Sequence, residues 1–342
     1  MYLPVQLTYL WCESQGVAMA DTKGDNLEQT TNKPKFFRRF EGILIGDLFD
    51  ESRLRSAFHY EPRDDDVFVV GFPKTGTTWL HFVLHRLMNH ASETPAQSAT
   101  ACRPSYSFLE FAGGEKIEAL PRPRAVIKTH LPFENVRFSE QARYIYVLRN
   151  PYDTCVSYYH QVRRGVPGCS DISFDDFFEM FIDGCVHPND YFDHLSSWFA
   201  QRSRPNFLCI TYEDMKKDPH SGILKIAAFL GNELDKATSD NVALDAIVQT
   251  ISPEAMKKAF AEAFLGKEKD ESTKCSPSRG DVSDEPTKHR RKGADLVRKA
   301  IVGDWENHFS ASQIKRMKAK MAAKTAGFRA DLDALWKDVN LP

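Results

Sequence analysis

The sequence predicts an α/β protein, a doubly wound and mostly parallel sheet flanked by helices, carrying a P-loop-like loop. Three observations lead there. The short β-rich runs are apolar almost without interruption instead of alternating, which is the pattern of strands covered on both faces. Helical patterns separate these runs, as a parallel sheet with crossover helices requires. The first strong run, Val67-Phe68-Val69-Val70, feeds directly into Gly71-Phe72-Pro73-Lys74-Thr75-Gly76-Thr77-Thr78-Trp79, a glycine-bounded loop that opens a helix.

The later strands are expected at Ala125–Thr129, Tyr144–Leu148 and Phe207–Tyr212. Helices are expected at Thr77–Asn89, Pro151–His160, Asn189–Gln201, Pro219–Leu230 and Ala311–Lys324. In such sheets ligands bind beyond the carboxyl ends of the strands, so the segments that follow each strand are where chemistry is expected. Residues 266–293 are rich in Lys, Asp, Glu, Ser and Pro and show no periodic apolar face, which reads as a mobile lid loop. Residues 1–34 read as a disordered N-terminal extension, leaving 35–342 as a single domain.

Length and composition narrow the function classes. A chain of 342 residues with 42% hydrophobic and 27% charged residues is ordinary for a globular protein with a large core. A net charge of −2 gives no general reason to expect nucleic acid or an anionic membrane as partner, so any anion site must be local. Seven cysteines without a Cys-x-x-Cys pair suggest a reducing compartment, read as cytoplasmic, and no zinc site. No apolar run approaches the roughly 20 residues that span a bilayer. The segment Met1–Val17 lacks a basic start and is not read as a signal peptide.

The loop after the first strand is built to hold a phosphate, because backbone N–H groups and a helix N-terminus converge there. Gly71 to Gly76 keeps the Gly-x-x-x-x-Gly spacing, but Thr77 stands where a P-loop lysine belongs and the lysine has moved to Lys74. That departure argues against an ordinary Mg-ATP kinase. The second strand ends Lys128-Thr129-His130-Leu131-Pro132. Two residues apart, Lys128 and His130 project to one side, where His130 suits proton abstraction from a hydroxyl and Lys128 suits neutralising developing charge. The third strand ends at Arg149, whose planar fork suits a phosphate, and Ser157 follows two helical turns on. Trp79 offers a stacking face for a base.

Together these segments resemble the cytosolic sulfotransferases. The loop is similar to their Pro-Lys-Thr/Ser-Gly-Thr-Thr-Trp, and Lys128–Pro132 to their Lys-Thr-His-Leu-Pro. Arg149-Asn150 with Ser157-Tyr158-Tyr159-His160, Tyr212-Glu213-Asp214-Met215, and Arg298-Lys299-Ala300-Ile301-Val302-Gly303-Asp304-Trp305 follow in the family's order. The resemblance covers about residues 37–340. It implies 3′-phosphoadenosine 5′-phosphosulfate (PAPS) as co-substrate, transfer of its sulfuryl group to the hydroxyl of a small molecule such as a phenol, catecholamine, sterol or alcohol, and no metal. Lys74, Lys128 and His130 would be catalytic. Lys74, Thr75, Gly76, Thr77, Thr78, Trp79, Arg149, Ser157, Tyr212, Arg298, Lys299 and Ala300 would bind the nucleotide.

The sequence also departs from the family pattern. Ala300 replaces a glycine, which is costly only if the backbone needs a positive φ. The segment Thr250-Ile251-Ser252-Pro253 puts Ile251 and Pro253 where the family has threonine and phenylalanine near the adenine. The family's small dimer motif is altered, with Glu306 and Lys315 exchanging its charges, so a homodimer is left open. Phe108, Phe111 and Phe133 are pocket or core, and Gln161 takes the place of a frequent aromatic. Alternatives from other classes are a binder of PAPS or of PAP, its 3′,5′-bisphosphate product, that has lost turnover, a P-loop NTPase, and a dehydratase that uses sulfonation to create a leaving group.

Overall fold

The structure, a computed structural model, describes residues 36–89, 94–120, 125–231, 241–265 and 297–342. The expected N-terminal extension and the expected lid, 266–293, lie outside these residues. In chain order, the strands β1 (Arg38–Phe40) and β2 (Ile43–Ile45) form a small antiparallel pair before helix α1 (Glu51–Phe58). Strand β3 (Val67–Val70) leads into α2 (Thr77–Asn89) and then into four short helices, α3 (Pro95–Ala101), α4 (Pro104–Ser107), α5 (Leu109–Ala112) and α6 (Gly114–Glu118). Strands β4 (Val126–Thr129) and β5 (Arg143–Leu148) precede α7 (Pro151–Gly165), α8 (Phe174–Ile182) and α9 (Tyr191–Phe199). Strand β6 (Phe207–Thr211) runs straight into α10 (Tyr212–Lys217) and α11 (Pro219–Leu230), and further helices cover Asn241–Thr250, Pro253–Leu265, Ala311–Lys324 and Arg329–Leu335.

The central sheet is parallel, with order β4-β3-β5-β6. Alternation along each strand divides the interior in two. Val67, Val69, Val126, Ile145, Val147 and Ile210 join one core with α2 and α11, whereas Phe68, Val70, Ile127, Tyr144, Tyr146 and Leu148 join the other with α7 to α9. Both faces are buried, as the uninterrupted apolar runs predict. The chain leaves β3 toward β4 and then returns to the other side of β3 as β5. The connections therefore diverge between β3 and β5, which is the topological switch point where ligands settle in sheets of this kind.

Several helix starts have a visible chemical cause. Asn150 accepts from the N–H of Asp153, with Pro151 in the first turn of α7, and Asp218 accepts from Ser221 ahead of α11 in the same way. Helices α2, α11 and Ala311–Lys324 match the sequence expectation residue for residue. Helix α7 extends beyond His160 to Gly165, and α9 is shorter than expected because Asp190 caps it. Tyr212 opens α10 instead of closing the strand, since the Thr211 side chain accepts from Asp214 and starts the helix. The expectation omits β1, β2, α1, the short helices between β3 and β4, the nine-residue α8 capped by Ser173, and the helices Asn241–Thr250, Pro253–Leu265 and Arg329–Leu335.

Candidate active site

Register brings the first two segments together. Val70 pairs with Thr129, so the next residues on each strand, Gly71 and His130, leave the sheet side by side. The His130 Nδ1 lies 2.5 Å from the Gly71 carbonyl oxygen. A carbonyl only accepts, so Nδ1 carries the proton and the lone pair is left on Nε2. The backbone N–H of His130 is donated to Glu110 Oε1 at 2.5 Å, which anchors the residue from the other side. Burial, and next the charge of Lys128, push the His130 imidazole well below the usual histidine range, so the ring is neutral. The Phe108 ring sits between the two groups of the motif: 5.0 Å from the His130 ring, with the Lys128 Nζ 4.0 Å from its centre. Burial raises the Glu110 carboxyl to about 7, against the opposing hydrogen bond from His130.

The phosphate loop is held in a shape that few residues tolerate. A Cβ on Gly71 would meet the Val147 carbonyl oxygen at 2.8 Å, and one on Gly76, at φ +110°, would meet the Tyr212 ring at 2.8 Å. Lys74 itself has φ +75°, a conformation that costs an L-residue roughly 1–2 kcal/mol. Strain of this kind collects at functional sites. Thr75 donates both its N–H (3.2 Å) and its hydroxyl (2.8 Å) to the Phe72 carbonyl, so it shapes the turn. Thr77 is buried and Thr78 half-buried at the start of α2, where the positive helix end faces the loop.

Arg149, at the end of β5, reaches across the switch point to the Lys74 carbonyl (3.3 Å) and donates to the Ile301 carbonyl (3.0 Å). Its guanidinium lies 4.4 Å from the centre of the Tyr212 ring, and its Nε is buried without a hydrogen-bond partner among the described residues. The Tyr212 and Trp79 rings meet edge to face at 5.5 Å, and the Trp79 indole N–H is donated to the Ile251 carbonyl at 3.0 Å. The Thr250 hydroxyl is turned back to the Ile247 carbonyl at 2.7 Å. Ser157 is half-buried, two turns along α7.

The segment 298–305 is tied to the start of α7. Asp153 accepts from the N–H groups of Gly303 (2.8 Å) and Trp305 (3.1 Å). Arg298 and Lys299 both close on Asp304, at 2.5 and 2.7 Å. Burial by itself would raise the Asp304 carboxyl, but these two hydrogen bonds outweigh it and hold the group at about 2. Ala300 has φ +54°, so the substitution falls at a position where the backbone does need the left-handed region.

Of the three phenylalanines left open between pocket and core, Phe108 and Phe111 stack with centroids 6.4 Å apart beside His130, whereas Phe133 packs on Trp198 at 5.2 Å. Sequence reasoning missed Glu110, Asp153 and Glu213. Glu213 accepts from the Asn150 backbone (2.9 Å) and side chain (2.8 Å) and so locks α10 to α7. Their signal was slight, since an acidic residue in a mixed segment reads as surface until the fold buries it.

A strand-loop-helix turn at the switch point, a neutral imidazole beside a lysine, and a buried arginine fit a group-transfer enzyme that uses a phosphate-bearing donor. Comparison with known proteins says which class. The sulfotransferase domain model matches residues 64–329. Rabbit (Oryctolagus cuniculus) sulfotransferase 1C2 is 31% identical over 281 residues, covering 80% of this chain and 87% of the relative. Rabbit amine sulfotransferase is 33% identical over 292 residues, covering 83% and 89%. A crystal structure of mouse sulfotransferase SULT7A1 complexed with PAP superposes with a TM-score of 0.68 at 27% identity, over 90% of this chain and 99% of that one. The chain belongs to the sulfotransferase family and is, as such, a PAPS-dependent enzyme of sulfuryl transfer. No helix among the described residues is long and apolar enough to cross a membrane.

Proposed function

We propose that the protein moves the sulfuryl group of PAPS to a hydroxyl of an aromatic or apolar small molecule, with His130 as general base. The observation that carries this reading is the contact between His130 Nδ1 and the Gly71 carbonyl at the start of the phosphate loop, which leaves the lone pair on Nε2. In the transfer, the acceptor oxygen forms a bond to sulfur as the bond from sulfur to the 5′-phosphate bridging oxygen breaks. The hydroxyl proton passes to Nε2 of His130, and PAP leaves. Lys74 meets the charge on the bridging oxygen and Lys128 that on the sulfuryl oxygens.

The nucleotide reading is supported by the fit of the residues. The loop from Lys74 to Thr78 and the start of α2 receive the 5′-phosphate. The unpartnered Nε of Arg149 is a buried donor that needs an acceptor. Arg149 and Ser157, with Arg298, Lys299 and the N–H of Ala300, receive the 3′-phosphate, whose charge competes with Asp304 for the two cations. Trp79 and Tyr212 hold the base. Phe108 and Phe111 line the acceptor side. A single domain over 35–342, a cytoplasmic setting, a two-fold pairing of the exposed Glu306 and Lys315, and metal independence belong to the same proposal.

The left-handed Ala300 favours one second reading, a protein that binds PAP yet transfers nothing. Transfer of labelled sulfate from PAPS to a panel of phenols, catecholamines, sterols and alcohols, with EDTA present, separates the two. Label on any acceptor supports the enzyme reading. Tight PAP binding with no transfer across the panel supports the binder, and failure to bind PAP at all overturns both.

A further inference from the structure

Behind the phosphate loop, where α2 meets α3, three metal-ligating side chains converge. His81 and His85 stand one turn apart on α2, and Cys102 caps the C-terminus of α3. One ligand atom from each lies within 4.8 Å of the others, and among the described residues this is the only group of three such side chains. We propose that His81, His85 and Cys102 form a binding site for a divalent transition-metal cation of the zinc type, separate from the transfer chemistry and joining α2 to α3.

Three features of the cluster point to a ligand. First, the His81 Nε2 faces the Val126 carbonyl at 3.1 Å, which fixes the proton there and leaves the Nδ1 lone pair. That Nδ1 is buried without a hydrogen-bond partner, and so is the Nε2 of His85. Two orphaned ring nitrogens in one buried cluster are costly unless something accepts their lone pairs. A histidine that donates its other ring N–H to a backbone carbonyl is the usual arrangement of a metal ligand.

Second, both orphaned nitrogens belong to imidazoles and are shielded from water, and neutral imidazole is the ligating form. Third, two imidazoles and a thiolate suit zinc or cobalt and not magnesium or calcium. In a tetrahedral zinc site the ligand atoms stand roughly 3.3–3.8 Å apart, so the observed separation needs only a small side-chain rotation. Binding releases the Cys102 thiol proton. The thiolate charge also offsets Lys128, whose field reaches His81. His85 as a residue is half-buried, which places the cluster near the surface. Cysteine spacing did not reveal the site because two of its ligands are a His-x-x-x-His pair on a helix.

The test uses the full chain, reduced, stripped with chelator and freed of it by gel filtration. Titration with cobalt(II) is expected to bind one equivalent, with tetrahedral d–d absorption and a thiolate-to-cobalt charge-transfer band, and zinc is expected to displace it. Cys102→Ser removes the charge-transfer band, and His85→Gln lowers the cobalt affinity at least about a hundredfold. His85→Gln alters a partly exposed side chain, so it reads the site even where Cys102→Ser disturbs folding. The proposal is overturned if the wild type takes up no cobalt at a tenfold excess, if the charge-transfer band survives in Cys102→Ser, or if folded His85→Gln binds as the wild type does.

Discussion

The Nδ1 of His130 and the carbonyl oxygen of Gly71 stand 2.5 Å apart because Val70 and Thr129 are register partners on neighbouring strands. The phosphate loop and the candidate base therefore belong to one rigid unit. The histidine is oriented by the first glycine of the loop, and its tautomer is set by the backbone.

For the base, His130→Ala is expected to reduce turnover by at least about a hundredfold, the scale of general base catalysis. PAP binding should stay within about threefold of wild type, since the imidazole contacts the loop backbone only through Gly71. Stopped-flow or steady-state assay beside calorimetric PAP titration checks both. A folded variant that loses PAP binding would show that His130 serves the cradle and not the chemistry.

The Trp79 ring is pinned by its indole N–H to Ile251 and by its edge contact with Tyr212, which presents it as a fixed platform. Base stacking on such a ring is worth about 1–3 kcal/mol. Trp79→Ala is thus expected to raise the Kd for PAP by roughly 5- to 150-fold, and to leave the affinity for adenine-free 5′-phosphate analogues unchanged. Equal losses for both ligands would refute the stacking role.

Ala300 occupies φ +54°, where an L-residue costs about 1–2 kcal/mol and glycine costs little. Glycine in turn loses about 0.5–1 kcal/mol more chain entropy on folding. The net expectation for Ala300→Gly is a gain in folding stability of up to about 1.5 kcal/mol, read as a raised urea midpoint, with PAP binding unchanged. Weaker binding in this variant would mean that the alanine methyl itself contacts the nucleotide or its cradle.

Stability should fall on the acid side. Burial holds His85 and His187 at about 4 and His194 at about 3, against about 6.5 in the unfolded chain. Between those values the unfolded state binds the extra protons. Stability is therefore complete above about 6.5 and is lost as pH falls, by up to about 1.4 kcal/mol per unit for each ring. Glu110 acts in the opposite direction: its carboxyl is at about 7 when folded, so its contribution is full below its ordinary value and fades as pH rises toward 7. Three rings outweigh one carboxyl. Urea unfolding at about pH 7 and about pH 5 should show a clear net loss at the lower value, and equal midpoints would contradict the buried, neutral assignment of the histidines.

Much of this was legible in the sequence because the signals were local. The run Val67–Val70, the glycine spacing after it and the tryptophan that follows are contiguous, and the structure places the loop and α2 at the residues expected. Helix α8 is legible too, although the sequence expectation omits it: Phe174, Phe177, Phe178, Phe181 and Ile182 recur at helical spacing behind the Ser173 cap, and those are the residues that face the core. The sequence offers the two cations of 298–299 as phosphate ligands, and the structure adds that Asp304 already holds both.

By itself, then, the sequence determined the fold class, the position of the glycine-bounded loop and the family, because those depend on residue type and on spacings of a few residues. Only the tertiary structure decided that Gly71 orients His130, that Asp153 and Glu213 buttress the site, that Ala300 sits in a left-handed conformation, and that His81, His85 and Cys102 meet. Each of those depends on strand register, on burial or on a backbone dihedral. These are set by packing between segments far apart in the chain, and no local pattern encodes them.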